Sequence, residues 1–250
     1  MGGTPNEIVD TGKVIVDAIQ ASILKPKKYV YLSSMSVYDN ETSQLLKEDM
    51  SFDWKQPTTY GSAKIFVEKL MEERLRSIVP VVCLRPGRVY GLEGLPWFKR
   101  IENLVKSGRM SYLTSSCKGK SNLIHVDDLA RLIVTFCTHN IDKNFEVFNI
   151  RNPEQLNWDE YFGLISKYYD KEFKITNKPV KRFLDLFIFS YLFKILEKLG
   201  NYRMAPFTPG LRNALIDSRD LDVKKVQSEF QFDYSSHKLV LYNMLREYSS

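Results

Sequence analysis

The sequence predicts an α/β fold that is built on a parallel sheet. Two short apolar stretches rich in β-branched residues, residues 29–34 (YVYLSS) and 79–86 (VPVVCLRP), are typical of buried strands. Residues 7–22 have apolar positions at helical spacing, and a second helix is predicted over residues 60–76, so helices and strands alternate along the first third of the chain. This alternation is typical of parallel strands that are connected by helices.

The first helix is predicted from apolar residues that recur at helical spacing: Ile8, Ile15, Ala18 and Ile19. The sequence KPKK ends this helix before the strand at 29–34. Residues 35–59 are polar and rich in turn formers, which predicts a loop before the helix at 60–76. Pro86 and Gly87 end the second strand.

After Gly91 the predicted elements become short and mixed, which indicates a smaller α+β lobe. Helices are predicted over residues 96–106, 125–139 and 157–169 and within 217–232. Short strands are predicted near residues 110–113, 122–125 and 145–150. We therefore divide the chain into a sheet domain, residues 1–92, and a substrate lobe, residues 93–250, with about 122–150 returning to the sheet domain.

Two helix starts have recognisable capping residues. Asp127 and Asp128 suit the first turn of the helix at 125–139, where the helix dipole favours negative charge. Asn157 is a suitable N-cap for the helix at 157–169. We interpret His125 as a structural residue at a helix entry rather than a catalyst.

The most apolar stretch, residues 183–196 (FLDLFIFSYLFKIL), contains Asp185 and Lys194 and is too short to span a bilayer. We expect no integral membrane span and interpret the stretch as a helix that covers a substrate pocket. An interfacial membrane helix is the alternative.

Composition limits the class of protein. The 250 residues are 44% hydrophobic and 26% charged, as in soluble globular proteins. A net charge of +6 favours an anionic partner such as a nucleotide or phosphate, but the charge is dispersed and no nucleic-acid motif is present, so we expect no nucleic acid.

Three cysteines without a CxxC motif and an amino terminus without the apolar core of a signal peptide predict a cytoplasmic protein. The three histidines lack metal-ligand spacing, so we expect no metal site.

Tyr60 and Lys64 are separated by four residues at the start of a predicted helix, so they share one helical face. An ammonium beside a phenol favours the phenolate and lowers the phenol pKa. A phenolate can remove a proton from a substrate hydroxyl while hydride leaves the same carbon. The alternative is a solvated Tyr–Lys pair that arises by chance.

Neighbouring elements favour the chemical interpretation. Ser34 ends the strand at 29–34, and the turn Pro86–Arg88 follows the strand at 79–86. Open α/β sheets bind ligands at the carboxyl ends of their strands. The sequence therefore predicts one crevice that contains Ser34, Tyr60, Lys64 and the turn.

The segments YVYLSSMSVY, YGSAK, LRPGRVYG and NLIHVDDLA occur in the order and near the spacing of a known family. On the basis of these segments, the chain resembles the extended short-chain dehydrogenase/reductases over about residues 7–248. This family includes the NAD-dependent epimerase/dehydratases of nucleotide sugars. The resemblance implies a Rossmann-like sheet and an NAD(P)-dependent epimerase, dehydratase or reductase that acts on a nucleotide sugar or a similar carbonyl or alcohol.

The resemblance also implies roles for individual residues. Ser34 corresponds to the catalytic residue that binds the reacting oxygen, Tyr60 to the acid/base, and Lys64 to the lysine that binds the nicotinamide ribose and lowers the tyrosine pKa. Ser33 and Pro86 correspond to cofactor-binding positions, together with Tyr60 and Lys64.

Ser34, Met35 and Arg88 correspond to substrate-binding positions of the family. Arg88 stands where the family often has Asn, and its guanidinium could bind phosphate or carboxylate instead. Asp39 stands where the family usually has Gly.

No glycine-rich dinucleotide motif, GxGxxG or GxxGxxG, occurs in the sequence. Compared with the family, the chain starts at the helix before the serine strand, so we expect an N-terminally truncated Rossmann-like sheet. Either the chain is part of a longer enzyme that binds NAD or NADP, or it is a non-catalytic relative that binds a nucleotide sugar or a partner chain. The family resemblance further implies a homodimer through helices 7–22 and 60–76.

Overall fold

The computed structural model describes residues 3–39, 43–50, 52, 58–92, 97–106, 119–171 and 209–249. The chain divides into two compact units. The first unit comprises Met1–Arg88, Val126–Pro153 and Asp220–Tyr234. The second unit comprises Val89–His125, Glu154–Arg219 and Ser235–Ser250.

Helices and strands alternate in chain order up to the middle of the chain. The first elements are α1 (Pro5–Ala21), β1 (Tyr29–Leu32), a 3₁₀ helix (Met35–Tyr38), β2 (Leu45–Leu46), α2 (Tyr60–Leu75), β3 (Val81–Pro86), β4 (Arg88–Tyr90) and α3 (Lys99–Lys106). They are followed by β5 (Leu123–His125), α4 (Val126–Thr138), β6 (Phe145–Ile150), α5 (Trp158–Tyr168), α6 (Pro209–Ile216), β7 (Asp220–Leu221), α7 (Lys224–Glu229) and α8 (His237–Ser249).

The first unit contains a parallel sheet with the strand order β1–β3–β6. Val30 lies opposite Val82, which in turn lies opposite Glu146, so the central strand is β3. All six residues of β3 are buried, as expected for the middle strand of a covered parallel sheet. The predicted α/β fold class is therefore confirmed.

Helices α1 and α2 pack together over one part of this sheet. The start of α1 is fixed by a capping box, in which the backbone N–H of Thr4 donates to Glu7 at 2.7 Å. Gly12 permits a close approach of the helices, since a Cβ at this position would lie 2.6 Å from Cγ2 of Val67. Two helices and the sheet therefore share one apolar core, whose buried residues are Val16, Ile19, Val67, Met71, Leu75, Val79, Val81 and Cys83.

A buried ion pair connects α2 to the central strand. Glu68 and Arg85 are 2% and 4% exposed, and the guanidinium donates to both carboxylate oxygens, at 3.1 and 2.6 Å. Arg85 also donates to the Tyr38 hydroxyl at 2.8 Å, and that hydroxyl donates to Asn149 at 2.8 Å. One polar network therefore joins the 3₁₀ helix, α2, β3 and β6.

The second unit has its own aromatic core. The Trp158 indole donates to the backbone oxygen of Ala214 at 2.7 Å, and the Tyr161 hydroxyl donates to that of Trp97 at 2.8 Å. Tyr90 is fully buried and its hydroxyl is hydrogen-bonded to Nδ1 of His237 at 2.7 Å. These contacts satisfy the polar groups of large aromatic side chains that would otherwise be costly to bury.

Most predicted elements agree with the structure to within three residues. The helix at 157–169 is confirmed as α5 with Asn157 as its N-cap, and the strand at 145–150 is confirmed as β6. The predicted loop at 35–59 contains two short elements that the sequence pattern does not predict, the 3₁₀ helix and β2, and β2 pairs with β7. The predicted strand near 110–113 and helix at 183–196 lie outside the described residues.

Within the described ranges, no helix combines the length and the apolar character that crossing a bilayer requires. The same ranges contain no group of three or more His, Cys, Asp or Glu side chains that could hold a metal ion.

Glu68→Gln should destabilise the chain by about 3–5 kcal/mol, because it leaves the Arg85 charge buried without its counter-ion. The free energy of unfolding is measured by urea denaturation followed by circular dichroism. Glu72→Gln is the matched control one turn further along α2, since it breaks only the half-exposed Lys69–Glu72 pair and should cost at most about 1 kcal/mol. Equal losses in the two variants would contradict the structural role of the buried pair.

Candidate active site

Ser34 and Tyr60 meet at the carboxyl end of β1. Ser34 follows the strand and caps the 3₁₀ helix, where its Oγ accepts from the backbone N–H of Ser36 at 3.1 Å. Tyr60 is the first residue of α2, and its side chain lies close enough to Ser34 for the Ser34 hydroxyl to lower the Tyr60 pKa. The two residues that the sequence predicts to act together therefore lie near each other.

The start of α2 is fixed by local contacts. Thr59 is the N-cap, and its hydroxyl accepts from the backbone N–H of Ser62 at 3.2 Å. Gly61 lies against the 3₁₀ helix so closely that a Cβ would be 2.0 Å from the backbone oxygen of Ser36. A side chain at position 61 would push Tyr60 away from Ser34.

Lys64 lies one helical turn after Tyr60 and on the same side of α2. Its Nζ is 5.8 Å from the centroid of the Tyr60 ring and donates to the backbone oxygen of Leu32, the last residue of β1, at 2.9 Å. The ammonium is therefore bound to the strand that leads to Ser34.

The pKa of Tyr60 lies above its ordinary value because burial disfavours the phenolate, although the hydrogen bond with Ser34 opposes this rise. The pKa of Lys64 lies below its ordinary value because burial disfavours the ammonium, although the Glu68 carboxylate opposes this fall. The sequence predicts a lowered tyrosine pKa, and the structure gives the opposite direction. The physical reason is that burial of the phenol outweighs its interactions, so Tyr60 carries its proton at neutral pH.

The predicted cofactor positions lie at the ends of neighbouring strands: Ser33 directly follows β1, and Pro86 is the last residue of β3. The backbone N–H of Ser33 donates to Leu84 at 2.7 Å, and Pro86 is the buried last residue of β3. The Ser33 hydroxyl is buried, and within the described residues it has no hydrogen-bond partner. Such a group is costly unless something outside these residues binds it.

The predicted substrate positions lie near the same ends of the strands. Met35 is buried at the start of the 3₁₀ helix, directly after Ser34. Arg88 is half-buried and begins β4, two residues after the end of β3. His125 is the last residue of β5, and its ring lies 5.2 Å from that of Tyr90 in an edge-on contact, which agrees with a structural role.

Three residues near this site are not identified from the sequence alone: Tyr31, Glu68 and Gly61. Glu68 could have been found from its spacing of four residues beyond Lys64 on the same helix. The contact of Gly61 has no such signal, because it depends on the distance between α2 and the 3₁₀ helix.

A cavity of about 610 Å³ in the first unit is lined by other residues. Arg85 and Glu68 line it, together with Phe52 and residues of β6, whereas Ser34, Tyr60 and Lys64 do not. Its charged groups are of both signs, and several of them pair with each other, as Glu146 does with Lys143. The cavity is therefore not the predicted reaction site.

A model of the NAD dependent epimerase/dehydratase family matches residues 5–150. This range is more than half of the chain and includes the sheet β1–β3–β6 and every predicted site residue.

Solved structures with the same fold include three of low sequence identity. UDP-glucuronic acid 4-epimerase from Bacillus cereus, in complex with UDP-glucuronic acid and NAD, is 18% identical with a TM-score of 0.67, and the match covers 96% of this chain and 68% of that chain. Human epimerase family protein SDR39U1 (isoform 2) with NADPH is 15% identical with a TM-score of 0.68, over 96% and 72% of the two chains. The Bordetella bronchiseptica enzyme WbmG with NAD and UDP is 17% identical with a TM-score of 0.63, over 97% and 64%.

Among curated proteins, 3-methylorcinaldehyde synthase from Phoma sp is 24% identical over 153 residues. The match covers 56% of this chain and only 6% of that protein.

Gly61→Ala should lower the free energy of unfolding by about 1–3 kcal/mol, because the added methyl group overpacks the contact with Ser36. Gly163→Ala is the matched control within helix α5, where a Cβ meets nothing within 4 Å. It should stabilise the chain by up to about 1 kcal/mol, since Ala is the better helix former. Urea unfolding measures both values, and two variants that change stability in the same direction would contradict the close contact.

Proposed function

The chain belongs to the NAD-dependent epimerase/dehydratase family, and we propose that it is an NAD(P)-dependent epimerase, dehydratase or reductase. The observation that carries this proposal is the placement of Tyr60 near Ser34, whose hydroxyl lowers the Tyr60 pKa, with the Lys64 ammonium 5.8 Å from the Tyr60 ring centroid. The proposed substrate is a nucleotide sugar or a similar carbonyl or alcohol. Support for this class comes from the Bacillus cereus structure with the same fold, which contains UDP-glucuronic acid and NAD.

The residues at the ends of β1 and β3 fit a nicotinamide cofactor. The unpartnered Ser33 hydroxyl offers a hydrogen bond, and Lys64 offers a positive charge near Tyr60. Ser33, Tyr60, Lys64 and Pro86 would hold the cofactor, which when bound supplies a reversible hydride acceptor. Of the three structures of this fold described above, two contain NAD and one contains NADPH, and both cofactors agree with the proposal.

The protein's own residues would move a proton at the substrate oxygen. In the reducing direction, Tyr60 donates its proton to the carbonyl oxygen while Ser34 donates a hydrogen bond to the same atom. The raised pKa of Tyr60 keeps this proton in place at neutral pH. In the oxidising direction, the Tyr60 phenolate accepts the proton of the substrate alcohol. The positive charge of Lys64 stabilises this phenolate.

Substrate recognition is proposed for Ser34, Met35 and Arg88. The guanidinium of Arg88 presents a planar fork of donors that matches phosphate and carboxylate oxygens. It would therefore bind the charged part of a nucleotide sugar.

A non-catalytic relative that binds a nucleotide sugar or a partner chain is the second candidate. It is favoured by the absence of a glycine-rich dinucleotide motif from the sequence. Calorimetric titration of the full chain with NAD(H), NADP(H) and UDP-sugars separates the two candidates. Tight dinucleotide binding would exclude the second candidate, and UDP-sugar binding without dinucleotide binding would exclude the first.

The proposal includes a cytoplasmic location and a homodimer. Cys83 is a buried thiol and Cys137 an exposed one, which fits a reducing compartment. The proposed dimer forms through residues 7–22 and 60–76, the region of α1 and α2. Val14 on α1 is 66% exposed and offers an apolar contact for the second copy.

Tyr60→Phe should lower kcat/KM by about 10²-fold to 10⁴-fold, because it removes the group that exchanges the proton. The rate is measured by chromatographic separation of the product sugar nucleotides, with UDP-sugars and NAD(P) as substrates and cofactor. Tyr242→Phe, at a 56% exposed tyrosine of α8, is the control and should keep the wild-type rate. Full activity of Tyr60→Phe would rule out the proposed mechanism.

Val14→Glu should dissociate the proposed dimer, because a carboxylate would be desolvated at the interface of two copies. The mass in solution is measured by sedimentation velocity. Val134→Glu, at a 63% exposed position of α4, is the matched control and should leave the mass unchanged. A wild-type chain that sediments as a monomer would refute the dimer.

A further inference from the structure

The Lys64 ammonium lies against two consecutive residues of β1. Its Nζ is 4.9 Å from the centroid of the Tyr31 ring and donates to the backbone oxygen of Leu32 at 2.9 Å. The Tyr60 ring is further away, with its centroid at 5.8 Å. A cation within about 6 Å of an aromatic centroid is attracted by the quadrupole of the ring. Of the two rings, Tyr31 is therefore the stronger partner of the ammonium.

The nearest carboxylate on α2 is engaged elsewhere. Both oxygens of Glu68 accept from the buried guanidinium of Arg85, so Glu68 compensates the charge of Lys64 only in part. Burial lowers the pKa of Lys64, because it disfavours the charged ammonium. The titratable groups around this point are Tyr29 and Tyr31 on β1, Tyr60 and Glu68 on α2, and Cys83 and Arg85 on β3.

Within the described part of the chain, the hydroxyl of Tyr31 makes no contact that accounts for a tyrosine at this position. It is buried, and among the described residues it has no hydrogen-bond partner. Burial raises the pKa of Tyr31, so the side chain is neutral and contributes no charge of its own. What Tyr31 offers to Lys64 is the face of its ring.

We propose that the Tyr31 ring is a positioning residue that holds the charged Lys64 ammonium beside Tyr60. Tyr31 acts through Lys64 and exchanges no proton with the substrate. The role of Lys64 that it supports rests on the proposed function, whereas the contact between ring and ammonium does not.

The contact is tested by nuclear magnetic resonance on the full chain labelled with [¹³C]lysine. Lys64→Met assigns the Cε–Hε signal of Lys64, whose chemical shift is then followed against pH. In the wild-type chain, the ring should shift this Hε signal upfield. An Hε shift equal to that of a free lysine side chain would overturn the proposal, even if every Tyr31 variant failed to fold.

Tyr31→Leu and Tyr31→Phe separate the ring from the hydroxyl. Leu keeps an apolar neighbour but removes the ring, so the upfield shift should disappear and the pKa of Lys64 should fall by about half a pH unit to one pH unit. Phe keeps the ring, so Tyr31→Phe should preserve both the upfield Hε shift and the pKa of Lys64. Tyr29→Leu, on the same strand, is the matched control and should leave Lys64 unchanged. A Tyr31→Leu chain with the wild-type Lys64 signal and pKa would refute the proposal.

Kinetics distinguish this inference from the proposed function. If the chain turns over UDP-sugars, Tyr31→Leu should lower kcat by about 10-fold to 100-fold through misplacement of the ammonium, with a smaller change in KM. An inactive wild-type chain with an upfield Lys64 signal would refute the proposed function but support the contact between Tyr31 and Lys64. An active chain with kcat unchanged in Tyr31→Leu would overturn the positioning role alone.

Discussion

The buried ion pair between Glu68 and Arg85 fixes helix α2 on the sheet, and the candidate site depends on where that helix lies. Glu68 is on the helix that carries Tyr60 and Lys64, and Arg85 is on the strand next to β1. Arg85 also donates to Tyr38, which ends the 3₁₀ helix that begins directly after Ser34. One guanidinium therefore joins the three elements that bring the site together. Because an unpaired charge in this environment is very unfavourable, the three elements can assemble in few other ways.

Glycine contacts complete the placement that the ion pair begins. At Gly12, helix α1 lies so close to Val67 of α2 that a side chain would clash. At Gly61, helix α2 lies even closer to the backbone of Ser36 in the 3₁₀ helix. The ion pair determines where α2 crosses the sheet, and the glycines determine how deeply it lies. The Gly61 contact lies one residue from Tyr60, so it fixes the backbone from which the Tyr60 side chain extends.

Much of the fold and part of the site can be predicted from the sequence, for physical reasons. A long helix such as α1 shows its period within one segment, whereas the two-residue strands β2 and β7 show none. The proximity of Ser34 and Tyr60 follows from topology, because Ser34 follows the end of β1 and Tyr60 begins the helix that leads to the neighbouring parallel strand β3. The direction of the Tyr60 pKa shift does not follow, because burial is a property of the folded chain. The ring contact of Tyr31 is hidden for the same reason, as it depends on how α2 lies over β1.

The interleaving of the two units along the chain has a consequence for folding. The unit with the site needs Met1–Arg88, Val126–Pro153 and Asp220–Tyr234, so β3 cannot pair with β6 until the intervening segment Val89–His125 has been synthesised. Contacts of such long sequence separation are slow to form, because closing a long loop costs chain entropy before any pairing compensates it. During synthesis, the edge of β3 that pairs with β6 therefore stays unpaired until β6 has been made. The nascent chain would be most exposed to aggregation, and most dependent on chaperones, in this interval.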